Sequence, residues 1–206
     1  MAFSGHLPFP AGFAGLPCEK FTIMSDIRII RTGQILMNET AMTRLSGRFY
    51  RIVLAAHRQS LLKGVISPEG RFHHSCQPAL YLSSRQDWAG HAIARYIGRD
   101  DPPRVICELD LSQARMLDLR KVAPCRALGI DPDLAAVPWL PERAEHRFAS
   151  SWQVADQARA TGADGLIYQA RSAPERWHLV LFRWNSPDAP LLRDRHQDRA
   201  FLPPTA

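Results

Sequence analysis

At 206 residues, 46% of them hydrophobic and 22% charged, the chain suits one globular domain whose core stands without disulfides. Its four cysteines (Cys18, Cys76, Cys107, Cys125) form no Cys-x-x-Cys pair and fit no zinc spacing, so they read as incidental thiols of a reducing compartment. The net charge of +6 suits an anionic ligand or an acidic partner, but the arginines are scattered rather than run together, so a nucleic-acid arm is not signalled.

Residues 1–24 are broken by Pro8, Pro10 and Pro17, and lack the basic start of a signal peptide. They read as a flexible extension, with Met24 a rival start to Met1 and a cytoplasmic location expected. No stretch approaches the roughly 20 apolar residues that span a bilayer. Residues 25–185 are the expected folded domain. The Pro-rich segment 186–206 reads as a C-terminal tail.

Within the domain, Phe49 to Ala56 is β-branched and aromatic and predicts a strand. Ser67-Pro68-Glu69-Gly70 predicts a turn, and Ala79 to Ser83 a second strand. Ser84 predicts a helix N-cap with Asp87 as its capping-box partner; the stripe Trp88, Ala92, Tyr96 is the expected buried face of that helix. Arg104 to Leu111 alternates as a half-buried strand, and Met116 to Leu119 predicts another short one. Short helices follow at Pro124 to Leu128 and at Pro132 to Ala136, the latter capped by Asp131. Ser151 is the expected cap of a helix through Ala160, stopped by Gly162. Gly165 to Tyr168 and His178 to Trp184 predict strands. Helices among strands without regular βαβ alternation predict an α+β domain with mainly antiparallel sheet. There is no Gly-x-Gly-x-x-Gly fingerprint and no P-loop.

The densest chemistry lies in Gly70-Arg71-Phe72-His73-His74-Ser75-Cys76-Gln77-Pro78-Ala79-Leu80-Tyr81, a loop running onto a strand. Arg71 and Arg51 are candidate cationic grips on phosphate, against the plainer reading of exposed arginines. His73 and His74 face opposite ways in an extended chain, so at most one enters a given site. No further ligand at metal spacing joins them, and no metal is expected. Tyr81 reads either as core or as a phenol at a ligand. His178 reads as structural.

With Tyr50-Arg51, Gly70-Arg71-Phe72-His73, Ala79-Leu80-Tyr81-Leu82, Gly162-Ala163-Asp164-Gly165-Leu166-Ile167-Tyr168 and the closing Leu181-Phe182-Arg183-Trp184 in this order, the chain resembles the RES-domain family from about Phe49 to Trp184. That resemblance implies an ADP-ribosyltransferase-like fold with NAD in a central cleft. It implies a toxin of a bacterial toxin–antitoxin pair that breaks the nicotinamide–ribose bond and passes ADP-ribose to a protein, phosphate or water. It also implies a cognate antitoxin, of Xre-like type. Carried over by position, Arg51, Arg71, Phe72, His73 and Tyr81 would bind NAD, with Arg71 and Tyr81 in catalysis. Two positions depart from the pattern. The family's helix glutamate aligns with Ala92 and its late serine with Ala170, leaving Ser172 as the candidate substitute. Candidate stand-ins for the carboxylate are Glu69, Asp87 or the acceptor protein itself. A catalytically degenerate domain that binds nucleotide or a partner without turnover is the alternative expectation.

Overall fold

The computed structural model describes residues 40–98 and 100–202. Its strands are β1 (Met42–Leu54), β2 (Leu80–Ser83), β3 (Arg104–Asp118), β4 (Gly165–Ala170), β5 (Ala173–Leu181) and β6 (Leu191–Ala200). Four α-helices are described: α1 (Gln86–Ile93), α2 (Val122–Ala127), α3 (Trp139–Ala144) and α4 (Ser150–Ala160). Ala55–Lys63, Ala94–Tyr96 and Pro132–Ala136 are 3-10 turns. The sheet runs β1-β2-β5-β4-β3-β6, and β1 also pairs with β3, so five strands close a ring with β6 added outside β3. All pairs are antiparallel except β3 with β4. This is the α+β, mainly antiparallel architecture expected.

Period-two alternation sorts the side chains of β4 and β5 onto two faces. Ile167, Leu179 and Leu181 enter one core with Phe49, Leu80, Leu82, Cys107 and Leu109. Leu166, Tyr168, Val180 and Phe182 enter the other, under Val154, Ala155 and Ala158 of α4. Burial on both faces explains why these strands read as unbroken apolar runs. Gly165 lies where the backbone is tightest, because a Cβ there would meet the Val180 carbonyl at 2.1 Å.

Several sequence expectations change. The strands expected at Arg104–Leu111 and Met116–Leu119 are one strand. Gln113 takes a left-handed φ of 58° at the point where β3 exchanges its outer neighbour β6 for β4, and this crossing looks like a loop in the sequence. The segment 186–206, expected as a tail, contains β6. Its alternating Arg and Asp residues hide a strand whose support comes from pairing with β3 and from ion pairs. The last apolar strand is Ala173–Leu181 rather than His178 to Trp184. Ser84 is no helix cap, since its hydroxyl donates to the Trp177 carbonyl (3.2 Å). The expected buried stripe on α1 is also displaced: Ala89 and Gly90 are buried, while Ala92 and Tyr96 are exposed. Gly90 turns inward against Phe201, where an added Cβ would come within 3.1 Å of the ring. Asp131 does cap its turn, accepting from Asp133 N (3.1 Å). The expected extension 1–24 lies outside the described residues.

Candidate active site

Gly70 and His73 face each other across a tight turn, with Gly70 N–H donating to the His73 carbonyl at 2.9 Å. Arg71 and Phe72 therefore occupy its two corners. A Cβ on Gly70 would come within 2.4 Å of the His73 ring, so the ring's seat needs glycine. Phe72 is fully buried and its N–H donates to Tyr81 Oη (3.0 Å). His73 Nε2 lies 3.1 Å from the Ser67 carbonyl, which can only accept, so Nε2 carries the hydrogen. Nδ1 then accepts the Tyr81 hydroxyl proton at 2.9 Å. Burial lowers the His73 pKa and raises that of Tyr81, which keeps both groups neutral and this relay intact.

The Arg71 guanidinium lies over two touching aromatic rings, 4.9 Å from the centroids of both Phe72 and Tyr168, which are themselves 4.7 Å apart. Its Nη2 donates to the Ala135 carbonyl (2.8 Å), and no carboxylate pairs with it among the described residues. Desolvation lowers its pKa. Tyr81, Tyr96, Tyr168 and Arg171 are close enough to act on its charge.

Strand register adds a neighbouring polar row. Tyr50 is opposite Ser83, Ser83 opposite His178, and His178 opposite Tyr168, so one line of side chains crosses β1, β2, β5 and β4 on a single face. Ser83 Oγ and His178 Nδ1 are 2.8 Å apart and buried. Burial, then the charges of Arg71 and Arg176, push the His178 pKa down to about 4.

Among the described residues, Arg51 and Arg159 also lack a carboxylate partner. Arg51 Nη2 donates to the Gly64 carbonyl (2.9 Å), and its buried Nη1 has no partner among the described residues. Burial lowers its pKa to about 10, with Cys107 opposing. Its neighbours are thus Gly64 and Cys107, not the groups around Arg71. Because Arg51 and Tyr50 are consecutive on β1, they point to opposite faces. Arg159 lies 3.7 Å over the Phe182 ring, donates to Pro78 O (3.1 Å), and has its pKa lowered by burial to about 10. These half-buried cations, held by carbonyls and rings, offer a fit to an anionic ligand, since a desolvated charge without a counter-charge is costly to keep.

The RES domain model matches residues 44–202. The chain belongs to the RES-domain family. Its fold is also that of a chain in the M. tuberculosis MbcT–MbcA toxin–antitoxin complex. The likeness has a TM-score of 0.52 at 17% identity and covers 84% of this chain and 93% of that one. No curated protein matches in sequence.

Two of the RES blocks meet at this turn, bringing Arg71, Phe72, His73 and Tyr81 together, with Tyr168 of a third against Arg71; Arg51 lies apart from them. Ser172 stands apart, exposed in the tight turn between β4 and β5. Neither candidate carboxylate meets Arg71: Glu69 pairs with Arg143 (3.3 Å) and Asp87 with Arg85 (3.1 Å). Ala92 is exposed on α1, and Ala170 is half-buried at the end of β4. Sequence reading misses Ser83 and makes His178 structural, because only strand register joins them to Tyr168. It also misses the inward side of α4. Ser151 is the expected cap, yet the helix starts at Ser150 and the Ser151 hydroxyl donates to Arg71 O (2.5 Å). Polar residues at Ser151 and Arg159, two helical turns apart around buried Ala155, are the available signal.

Cys107 and Cys125 are free and buried, and burial raises their thiols to about 12 and about 11. Both are therefore poor nucleophiles. No described helix is long and apolar enough to cross a membrane.

Proposed function

We propose that this RES domain binds NAD at the Arg71 turn and cleaves its nicotinamide–ribose bond as the toxin of a bacterial toxin–antitoxin pair. The observation that carries this reading is Arg71 itself, a desolvated guanidinium braced by two aromatic rings and without a carboxylate. Such a group favours a phosphate of the dinucleotide, and arginine's planar fork suits phosphate oxygens. Phe72, His73 and Tyr81 hold the turn, and Tyr168 with the Ser83–His178 pair forms the adjoining wall. Arg51 points to the other face of β1, towards Gly64 and Cys107, and stands outside this grip; Ser172 is the candidate for the missing late serine. Fixing the pyrophosphate while positive charge develops on the ribose lowers the barrier by positioning. ADP-ribose then passes to a protein, phosphate or water.

The location proposed is the cytoplasm, within a domain spanning 25–185 together with β6. A cognate antitoxin of Xre-like type is the proposed partner; the toxin–antitoxin assembly of the structural neighbour supports this. Incubating the protein with NAD, with and without cell extract, should release nicotinamide. Absence of both release and NAD binding overturns the reading.

A second reading is binding without turnover. It is favoured by the two aligned alanines and by the engagement of Glu69 and Asp87 elsewhere. Tight NAD binding with no release supports it, and recovery of release in Ala92→Glu would identify the missing carboxylate as the cause.

A further inference from the structure

The Arg71 turn is buried at Phe72 and His73 and half-buried at Gly70 and Arg71, yet it makes little ladder of its own, so its backbone oxygens need partners from outside. One helix supplies three in succession. Trp152 Nε1 donates to Gly70 O (2.6 Å), the Ser151 hydroxyl to Arg71 O (2.5 Å), and Arg159 Nη2 to Phe72 O (3.4 Å). The same helix reaches further along the loop. Asp156 Oδ1 accepts from Gln77 Nε2 (2.9 Å), and its Oδ2 is 2.9 Å from His74 Nε2. The Trp152 ring stacks on His74 at 4.8 Å. The far end of the Arg71 side chain is referred to this helix as well, because its acceptor Ala135 shares a core with Val154, Ala155 and Ala158.

We propose that α4 is the positioning element for Arg71, with Ser151 and Trp152 as positioning residues that set where the guanidinium stands. This rests on the reading of Arg71 as the NAD grip. Neither side chain touches the ligand. Each fixes a carbonyl of the turn, and so the direction in which Arg71 leaves the backbone.

The test measures NAD affinity by calorimetry at a temperature where every variant is folded. Trp152→Phe keeps an aromatic ring but loses the N–H, and Ser151→Ala loses only the hydroxyl. One intramolecular hydrogen bond corresponds to roughly threefold to tenfold, so each change should weaken NAD binding by about that factor. Ser151→Thr, which keeps the hydroxyl, should restore it. In an Arg71→Lys background both changes should have less than twofold effect, because their influence passes through Arg71. Affinity unchanged in the single variants, or weakened equally in the Arg71→Lys background, overturns the proposal.

A second readout is independent of NAD. The Arg71 Nε–H resonance should move in the Ser151→Ala/Trp152→Phe double variant while that of Arg58 stays in place. If the wild type binds no NAD, the functional reading fails; an unmoved Arg71 resonance defeats the positioning role in its own right.

Discussion

Arginines in two regions of this molecule have opposite surroundings. Along β3 and β6 they are matched to acids. Arg58 pairs with Asp194 (2.6 Å) and with Asp198, Arg195 with Glu108 (2.9 Å) and Asp110 (2.8 Å), and Arg48 with Glu108 (2.8 Å). Hydrogen bonds to carboxylates raise the pKa of Arg58 and Arg195. Arg71, Arg51 and Arg159 have carbonyls and rings instead, and burial lowers their pKa. The first set holds strands together. The second keeps charge in place at the expense of stability, as expected of a site awaiting an anion.

The sharpest contrast should come from removing a buried acid that, like those of β3 and β6, is matched to an arginine. Asp164, 2% exposed, accepts from Arg115 N–H (2.7 Å) and pairs with Arg183. Asp164→Ala should cost about 3 kcal/mol in denaturant unfolding, near the low end for a broken buried pair because Arg183 is partly exposed. NAD affinity of the folded variant should be kept. A cost near zero would show that the matched pairs are incidental.

Arg71→Met should do the reverse. NAD affinity or nicotinamide release should fall roughly 10²-fold, the scale of losing one electrostatic stabiliser. The unfolding midpoint should hold or rise, since an apolar side chain replaces a half-buried cation that has no carboxylate to balance it. A loss of stability like that of Asp164→Ala would place Arg71 in the structural set.

Acid should weaken the site's wall before it weakens the ion pairs. His178 titrates at about 4 in the folded chain, against an ordinary 6.5. The unfolded chain therefore binds more protons between those values, and stability should fall as pH drops through that window, by at most about 1.4 kcal/mol per unit from this group. His73, also lowered by burial, adds in the same direction. Stability measured against pH should lose part of this slope in His178→Asn; an unchanged slope would mean that His178 is not held neutral. The smallest effect belongs to the exposed pair Arg85–Asp87. Arg85→Ala should leave the midpoint and NAD affinity within error in the same assays.

Local signals in the sequence survive folding where they are self-contained. Leu80–Ser83 and Gly165–Tyr168 are strands because apolar runs need no partner to be recognised. The turn at Gly70 is legible for the same reason. The row Tyr50–Ser83–His178–Tyr168 is not, because it exists only once four strands are in register. β6 is hidden because alternating Arg and Asp resemble a solvated tail until acids and bases from β3 and the Ala55–Lys63 turn meet them. The grip of α4 on the Arg71 turn is equally hidden, since Ser151 and Trp152 look like an ordinary helix start.

The ring of strands is unevenly sewn. β1 is paired with β3 along its length, but Tyr50 opposite Ser83 is the sole registered position joining it to β2. Local opening takes the path with the fewest bonds to break. The barrel should therefore breathe at this seam without unfolding. Amide hydrogens flanking Ser83 would then exchange with solvent sooner than those in the middle of β3, and the first buried groups to meet water would be the polar row beside Arg71.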